Sequence, residues 1–348
     1  MPEPKRFGTT KDGREVRCFL LRNVSGMCVE ILDYGGTVRS CKVPDKTGAI
    51  RDVVLGYDTV EAYEAGSCYF GALIGRCANR IAGGRLRVDG QNYQLTRNDG
   101  PNHLHGGKNG LNRHLWEARQ ISDSTLVLHA ECPDGEDGYP GNLSVTVIYD
   151  LSDDGELSID YHAVCDRDTV CNLTNHMYFN LAGHDSGASI HGESIRIDAD
   201  SYTETDAASI PTGAVLPVEN TPMDLRAPVA IGAHIEDDFP QLRQAGGYDH
   251  NWIVRGYDGR LKEMAFACDE SSGIVLRVST TLPGVQFYTG NFIPRHQGKD
   301  GAWYGRRSAF CLESQYFPGL LEIPPYPSPF LSKGREYHQT TVYRFSLR

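Results

Sequence analysis

The chain reads as an all-β protein, a large and mostly antiparallel β-sandwich, and three observations carry that reading. Short segments of alternating apolar and polar side chains follow one another from end to end. Clusters of Gly, Asp and Asn separate them, and helical spacing of apolar residues is nearly absent. So many strands must close on themselves or stack as facing sheets to hide their edges and share a core. No linker, low-complexity tract or internal repeat divides the 348 residues, so residues 1–348 are read as one domain.

Taken in order, the first strands are expected at 16–21, 27–32 and 37–43, with turn chemistry supplied by Asp33-Tyr34-Gly35-Gly36 and Asp45-Lys46-Thr47-Gly48. A turn or two of helix is expected at 59–64. Residues 85–95 read as a hairpin around Asp89-Gly90. Segments 125–130, 143–149 and 157–164 continue as an antiparallel meander, and strands at 193–199, 273–280, 284–289, 309–313 and 340–345 complete the series.

Composition narrows the function. Forty-five acidic against 34 basic residues give a formal net charge of -11, and no basic run tracks along the chain, which argues against a nucleic-acid or anionic-membrane partner. The stretch Met1-Pro2-Glu3-Pro4-Lys5-Arg6 lacks a signal-peptide core, and no later segment is long and apolar enough to span a bilayer, so the expected setting is cytoplasmic. The 10 cysteines stand singly, with no C-x-x-C pair, and are expected to be free, mostly buried thiols and not zinc ligands.

Five polar clusters interrupt this texture. Residues 172–183, Asn172-Leu173-Thr174-Asn175-His176-Met177-Tyr178-Phe179-Asn180-Leu181-Ala182-Gly183, place one histidine among amides, a threonine and aromatic rings. Amides and hydroxyls of that kind fix an imidazole's orientation while rings shield it from water, as proton transfer near neutrality requires; a buried histidine satisfied by backbone is the bland alternative. Arg76 and Asn79-Arg80, ahead of Gly83-Gly84, offer planar donor forks to an oxygen-rich ligand, or pin a loop to carbonyls. His103 and His105, two apart before Gly106-Gly107, face one way on an extended segment, as a metal pair or as donors to a ligand that glycine lets approach. Gly246-Gly247-Tyr248-Asp249 sets a carboxylate beside a ring after a pivot, a sugar-binding combination or an ordinary turn. Glu313 ends the apolar run from Phe310, where its pKa can rise to that of a usable base, or where a strand simply meets water.

In sequence order, Asn79-Arg80-Ile81, residues 102–107, Leu115-Trp116, residues 172–183, residues 247–251, residues 283–291 and Leu312-Glu313-Ser314-Gln315 resemble the aldose 1-epimerases, or galactose mutarotases, over nearly the whole chain. The resemblance implies a galactose mutarotase-like supersandwich that interconverts the α and β anomers of free aldohexoses such as galactose and glucose, without a metal or organic cofactor. It implies Glu313 as the base at the C1 hydroxyl and His176 as the acid at the ring oxygen. Asn79, Arg80, His105, Asp249 and Gln286 are similar to the family's sugar-binding residues, with Tyr178 lining the same pocket. The implied partner is a small aldose, met by a monomer or weak homodimer. Residues 316–325 depart from the family pattern, which points to an altered pocket rim and leaves the sugar preference open. Three rivals stand beside this reading: a glycoside hydrolase using Asp249 and Glu313, a hexose 6-phosphate mutarotase, and a non-catalytic sugar-binding module.

Overall fold

In the computed structural model, which describes residues 3–348, the period-two pattern becomes burial. Leu143–Leu151 and Glu156–Cys165 bury every second side chain, as a strand with one face on a core must. They belong to a nine-stranded antiparallel sheet in the order Glu117–Gln120, Thr125–Cys132, Leu143–Leu151, Glu156–Cys165, Glu336–Leu347, Ile274–Thr280, Lys262–Cys268, Ser194–Ile197 and Val229–Ala230. The C-terminal strand thus lies in the middle of the sheet and joins the two halves of the chain.

A second sheet has five strands in the order Pro211–Pro217, Ser201–Thr205, Asp249–Ile253, Gly284–Tyr288 and Cys311–Gln315. Its last three strands are buried at every position, on both faces. An N-terminal meander, Lys5–Thr9 to Ile50–Asp52, forms a further five-stranded sheet. One apolar cluster runs through all three, from Val29 and Ile31 through Val145 and Val147 to Trp252, Phe287 and Leu312. The facing sheets therefore share a core, as the sandwich expectation requires.

The expected hairpin forms as Arg85–Val88 paired with Gln91–Gln94, and the helical turn as Val60–Ala65, N-capped by Thr59. Several strands have no clear sequence signal, for visible reasons. Lys262–Cys268 carries a register shift between Glu263 and Ala265 that breaks its alternation. Pro211–Pro217 is a proline-bounded edge strand, where the missing donors cost least. The short helix Pro240–Ala245 was also not anticipated; it ends on Gly246 at φ 65, a left-handed cap that glycine adopts freely. All 10 cysteines are free, and eight of them are buried. Among the described residues, no helix is long and apolar enough to cross a membrane.

A buried ion pair ties the long loop before Cys311–Gln315 to the N-terminal sheet. Lys299, fully buried, donates from Nζ to Asp52 Oδ2 at 2.6 Å and to the Arg39 carbonyl at 2.8 Å. Removing one member of such a pair strands the other charge away from water. Lys299→Met is expected to lower stability by about 3–5 kcal/mol, read from the urea midpoint. Adding Asp52→Asn is expected to recover part of that loss, because the orphaned charge is then gone.

Candidate active site

His176 is placed by its own backbone before its side chain meets anything. Its N–H donates to the Ala72 carbonyl and its carbonyl accepts from Gly71 N–H, both at 2.9 Å. Three residues on, Phe179 and Phe310 exchange backbone hydrogen bonds at 2.7 and 2.9 Å. That bridge sets the 172–183 segment beside Cys311–Gln315, and because side chains alternate along a strand, Cys311 and Glu313 share the face turned toward the histidine. His176 Nε2 lies 3.7 Å from Glu313 Oε1, and Nδ1 lies 3.5 Å from Cys311 Sγ.

The amides of this segment act differently from what the sequence suggested. Asn175 Nδ2 donates to the Gly71 carbonyl, and Asn180 Nδ2 to the Ala188 and Ser308 carbonyls, so they hold backbone and leave the imidazole alone. The ring is instead clamped between two tyrosines, Tyr178 at 4.9 Å and 13° and Tyr69 at 5.8 Å and 17°. Sequence gave no sign of Tyr69, which stands in the left-handed region at φ 57.

The strand register builds the opposite wall. Asn251, Gln286 and Glu313 are paired in one row, with Asp249, Tyr288 and Cys311 in another. Gln286 Nε2 donates to Asp249 Oδ1 at 2.7 Å, while its oxygen accepts from Gln315 Nε2 at 3.2 Å. Gln286 is thereby oriented by neighbours on both sides. Glu313 sits mid-strand and buried, not at the strand's end, and its Oε2 is buried without a hydrogen-bond partner among the described residues.

Loops close the cavity. Asn79 N–H donates to His105 Nδ1 at 3.1 Å, and Arg80 Nε to Asp99 Oδ2 at 2.8 Å. A Cβ on Gly106 would stand 1.7 Å from the Gly75 carbonyl oxygen, so this glycine admits neighbouring backbone and not a ligand. The result is a cleft of about 680 Å³ including the open space at its mouth. His176, Glu313, Asn79, Arg80, His105, Tyr178, Asp249 and Gln286 all line it. So do Ser67, Cys68, Tyr69, Leu104, Tyr288 and Phe292, which sequence reasoning passed over. Tyr288 was findable, since it is two residues from Gln286 on one strand.

Other candidates fall outside the cleft. Arg76 Nη1 and Nη2 donate to the Pro140, Gly141 and Cys132 carbonyls, the loop-pinning role. His103 is fully buried between the Thr96 carbonyl and the Tyr139 hydroxyl, each at 2.6 Å. It does not share a face with His105, because His105 at φ 53 breaks the extended alternation. Residues 316–325 contribute nothing to the cleft lining, which corrects their expected place at the rim. Tyr316 instead packs on Tyr337 and takes the Asn172 carbonyl oxygen of the side chain on its N–H at 2.9 Å.

Burial dominates the electrostatics. It lowers the His176 pKa to about 4 and takes His105 well below the usual imidazole range. It raises Glu313 well above the usual carboxylate range, reinforced by the Asp249 charge and opposed by Arg80, and it raises Asp249 as well. Ligating atoms of His105, His176 and Glu313 lie within 4.8 Å of one another, near enough to share a metal. The hydrogen bonding disfavours that use. Because Asn79 N–H donates to His105 Nδ1, the ring proton is on Nε2, and a ligand would meet an N–H and not a lone pair. The cavity is suited to oxygen-rich ligands that both give and accept hydrogen bonds.

Comparison with known proteins converges on one family. A family model described as aldose 1-epimerase matches residues 17–344. The chain is similar to galactose mutarotase of Homo sapiens, 45% identical over 323 residues that cover 92% of this chain and 91% of the relative. It is also similar to aldose 1-epimerase of Escherichia coli K12, 36% identical over 336 residues covering 96% of each. Among solved structures, an aldose epimerase homologue from C. elegans superposes with a TM-score of 0.85 at 30% identity, covering 95% of this chain and 98% of that one. Galactose 1-epimerase from Lactobacillus acidophilus superposes with a TM-score of 0.86 at 26% identity, covering 99% and 98%.

Two substitutions separate the causes of the raised Glu313 pKa. Asp249→Asn removes a like charge and is expected to lower that pKa. Arg80→Gln removes the opposing positive charge and is expected to raise it further. Carboxylate titration followed by ¹³C NMR reads both, and shifts in the same direction would contradict this account.

Proposed function

The chain belongs to the aldose 1-epimerase family, and from that premise we propose that it interconverts the α and β anomers of free aldoses with His176 as general acid and Glu313 as general base. The observation that carries the assignment is the pair itself: an imidazole Nε2 and a carboxylate oxygen 3.7 Å apart, both lining one buried cleft with polar side chains around them. Galactose is the substrate we take first, by analogy with the named relatives, with glucose as a second free aldose.

The chemistry needs little else. Glu313 takes the proton of the C1 hydroxyl while His176 Nε2 delivers one to the ring oxygen; the C1–O5 bond breaks and C1 becomes the aldehyde carbon. Rotation about C1–C2 presents the other carbonyl face, and closure reverses both transfers. Asn79, Arg80, His105, Asp249 and Gln286 hold the remaining hydroxyls so that the opened chain stays in register, with Tyr178 walling the pocket. In the empty cleft, burial favours neutral His176 and protonated Glu313. The reactive arrangement, imidazolium with carboxylate, holds the same number of protons, so pH does not choose between the two. Sugar hydroxyls and the Arg80 charge favour the ionised one.

Among the described residues Arg80 is the one Arg or Lys lining the cleft and is already paired with Asp99, which gives little support to a 6-phosphate substrate. A hydrolase using Asp249 and Glu313 would leave His176 without a part. The 10 free thiols suit a reducing compartment, which supports a cytosolic setting, and we read residues 1–348 as one functional unit.

Polarimetry on freshly dissolved α-galactose and α-glucose tests the assignment. Glu313→Gln and His176→Asn are each expected to slow enzymatic anomerisation by about 10²–10⁴-fold with an unchanged circular dichroism spectrum. Full activity in either variant removes that residue from its role. The pH profile follows from the pair's proton count. Below about 4 the pair gains a second proton and Glu313 has nothing free to accept with; above the raised Glu313 pKa the transferable proton is lost. Activity is therefore expected to be flat between those limits and to fall beyond each.

A further inference from the structure

His176 has two ring nitrogens, and only one meets the cleft. The other, Nδ1, faces Cys311 Sγ at 3.5 Å, well inside hydrogen-bonding distance for sulfur. The backbone of His176 itself also favours a proton on the ring. Cys311 is fully buried in a strand buried at all five positions, and the same strand face carries Glu313 two residues on. One strand thus addresses both nitrogens: Cys311 at Nδ1, Glu313 at Nε2. The tyrosine rings on either side fix the plane of the imidazole but leave its rotation within that plane to the groups at its edge.

We propose that Cys311 is a positioning residue for the reaction, holding Nδ1 so that the proton His176 delivers is carried on Nε2, toward the substrate. This inference rests on His176 being the acid. A buried thiol beside a carboxyl keeps its proton, and burial pushes the Cys311 pKa well up. Its sulfur accepts from Nδ1–H of the neutral ring, which leaves the Nε2 lone pair facing the Glu313 carboxyl. Transfer of the Glu313 proton to Nε2 gives imidazolium and carboxylate, and Nε2 then delivers that proton to the ring oxygen while Nδ1–H stays on sulfur. A thiol serves both states because it is a weak acceptor, enough to fix Nδ1–H without holding the imidazolium strongly. A carboxylate in its place would accept from Nδ1–H far more strongly and stabilise imidazolium, making His176 a poorer acid.

Cys311→Ala and Cys311→Ser separate this role from packing, since both shrink the side chain but only serine can still donate and accept. The expected result is a kcat about tenfold lower in the alanine variant, with KM changed by no more than about twofold, and recovery of most of that loss by serine. In the free protein, ¹⁵N NMR of the histidines is expected to show neutral His176 protonated at Nδ1 in the wild type and the serine variant, and a mixture of both tautomers in the alanine variant. Equal impairment of the two variants, an unaltered kcat in both, or a His176 tautomer indifferent to residue 311 would overturn the proposal. The acid assignment fails separately, through an active His176→Asn enzyme, and the NMR result stands apart from that outcome.

Discussion

The contact between His176 Nε2 and Glu313 Oε1 brings two ionisable groups together where neither is solvated, with side chains only 6% and 3% exposed. A buried acid and base cost free energy unless their surroundings are fixed and polar, and fixed polar surroundings in a protein interior must be built from backbone already committed elsewhere. The three strands Asp249–Ile253, Gly284–Tyr288 and Cys311–Gln315 supply that commitment, because their main-chain groups are engaged in ladders and their side chains are free to point into the cleft. The 172–183 segment meets the same demand through Ala72, Gly71 and Phe310.

The loops facing those strands show where local strain is held. Tyr69, Asn79 and His105 all occupy the left-handed region, at φ 57, 64 and 53, and all three line the cleft. Such residues cost on the order of 1–3 kcal/mol each, and they persist because neighbours over-determine them. Asn79 illustrates this: its N–H caps His105 Nδ1 and its side-chain oxygen accepts from Arg80 N–H at 2.8 Å. The unsatisfied Oε2 of Glu313 belongs to the same description, as an acceptor kept dry until a hydroxyl arrives.

Legibility in the sequence followed how local each cause is. The long strands of the nine-stranded sheet alternate strictly, so Leu143–Leu151 and Glu156–Cys165 were plain. Asp249–Ile253 was open to a turn reading because a strand buried on both faces has no alternation to show. The eight residues that converge on the cleft were found through motif resemblance; chemistry alone left Arg76 level with Arg80 and set His103 only somewhat below His105. Only the tertiary contacts separate them, since Arg76 answers to carbonyls at 132, 140 and 141 and His103 to Tyr139. Tyr69 and Cys311 escaped for the converse reason: an aromatic ring and a thiol look like core in any sequence, and here they are core that touches His176.

The direction of each hydrogen bond orders the site more strictly than its shape does. A pyranose ring oxygen has lone pairs and no proton, so whatever acts on it must bring an N–H or O–H; the anomeric hydroxyl must lose its proton and so must meet an acceptor. A carboxylate and an imidazole exchanging these parts would leave the ring oxygen facing a negative oxygen, which repels it. The asymmetry of the two neighbourhoods agrees with the assignment made above. His105, capped by Asn79 N–H, presents N–H to the cleft, and His176, held at Nδ1 by the thiol, does so at Nε2 once it has taken the Glu313 proton, which leaves Glu313 with lone pairs only. On this reading the donor wall comes from loops and from the 172–183 segment and the acceptor wall from strands. The family's reaction then requires that these walls keep their spacing while the sugar between them opens and closes.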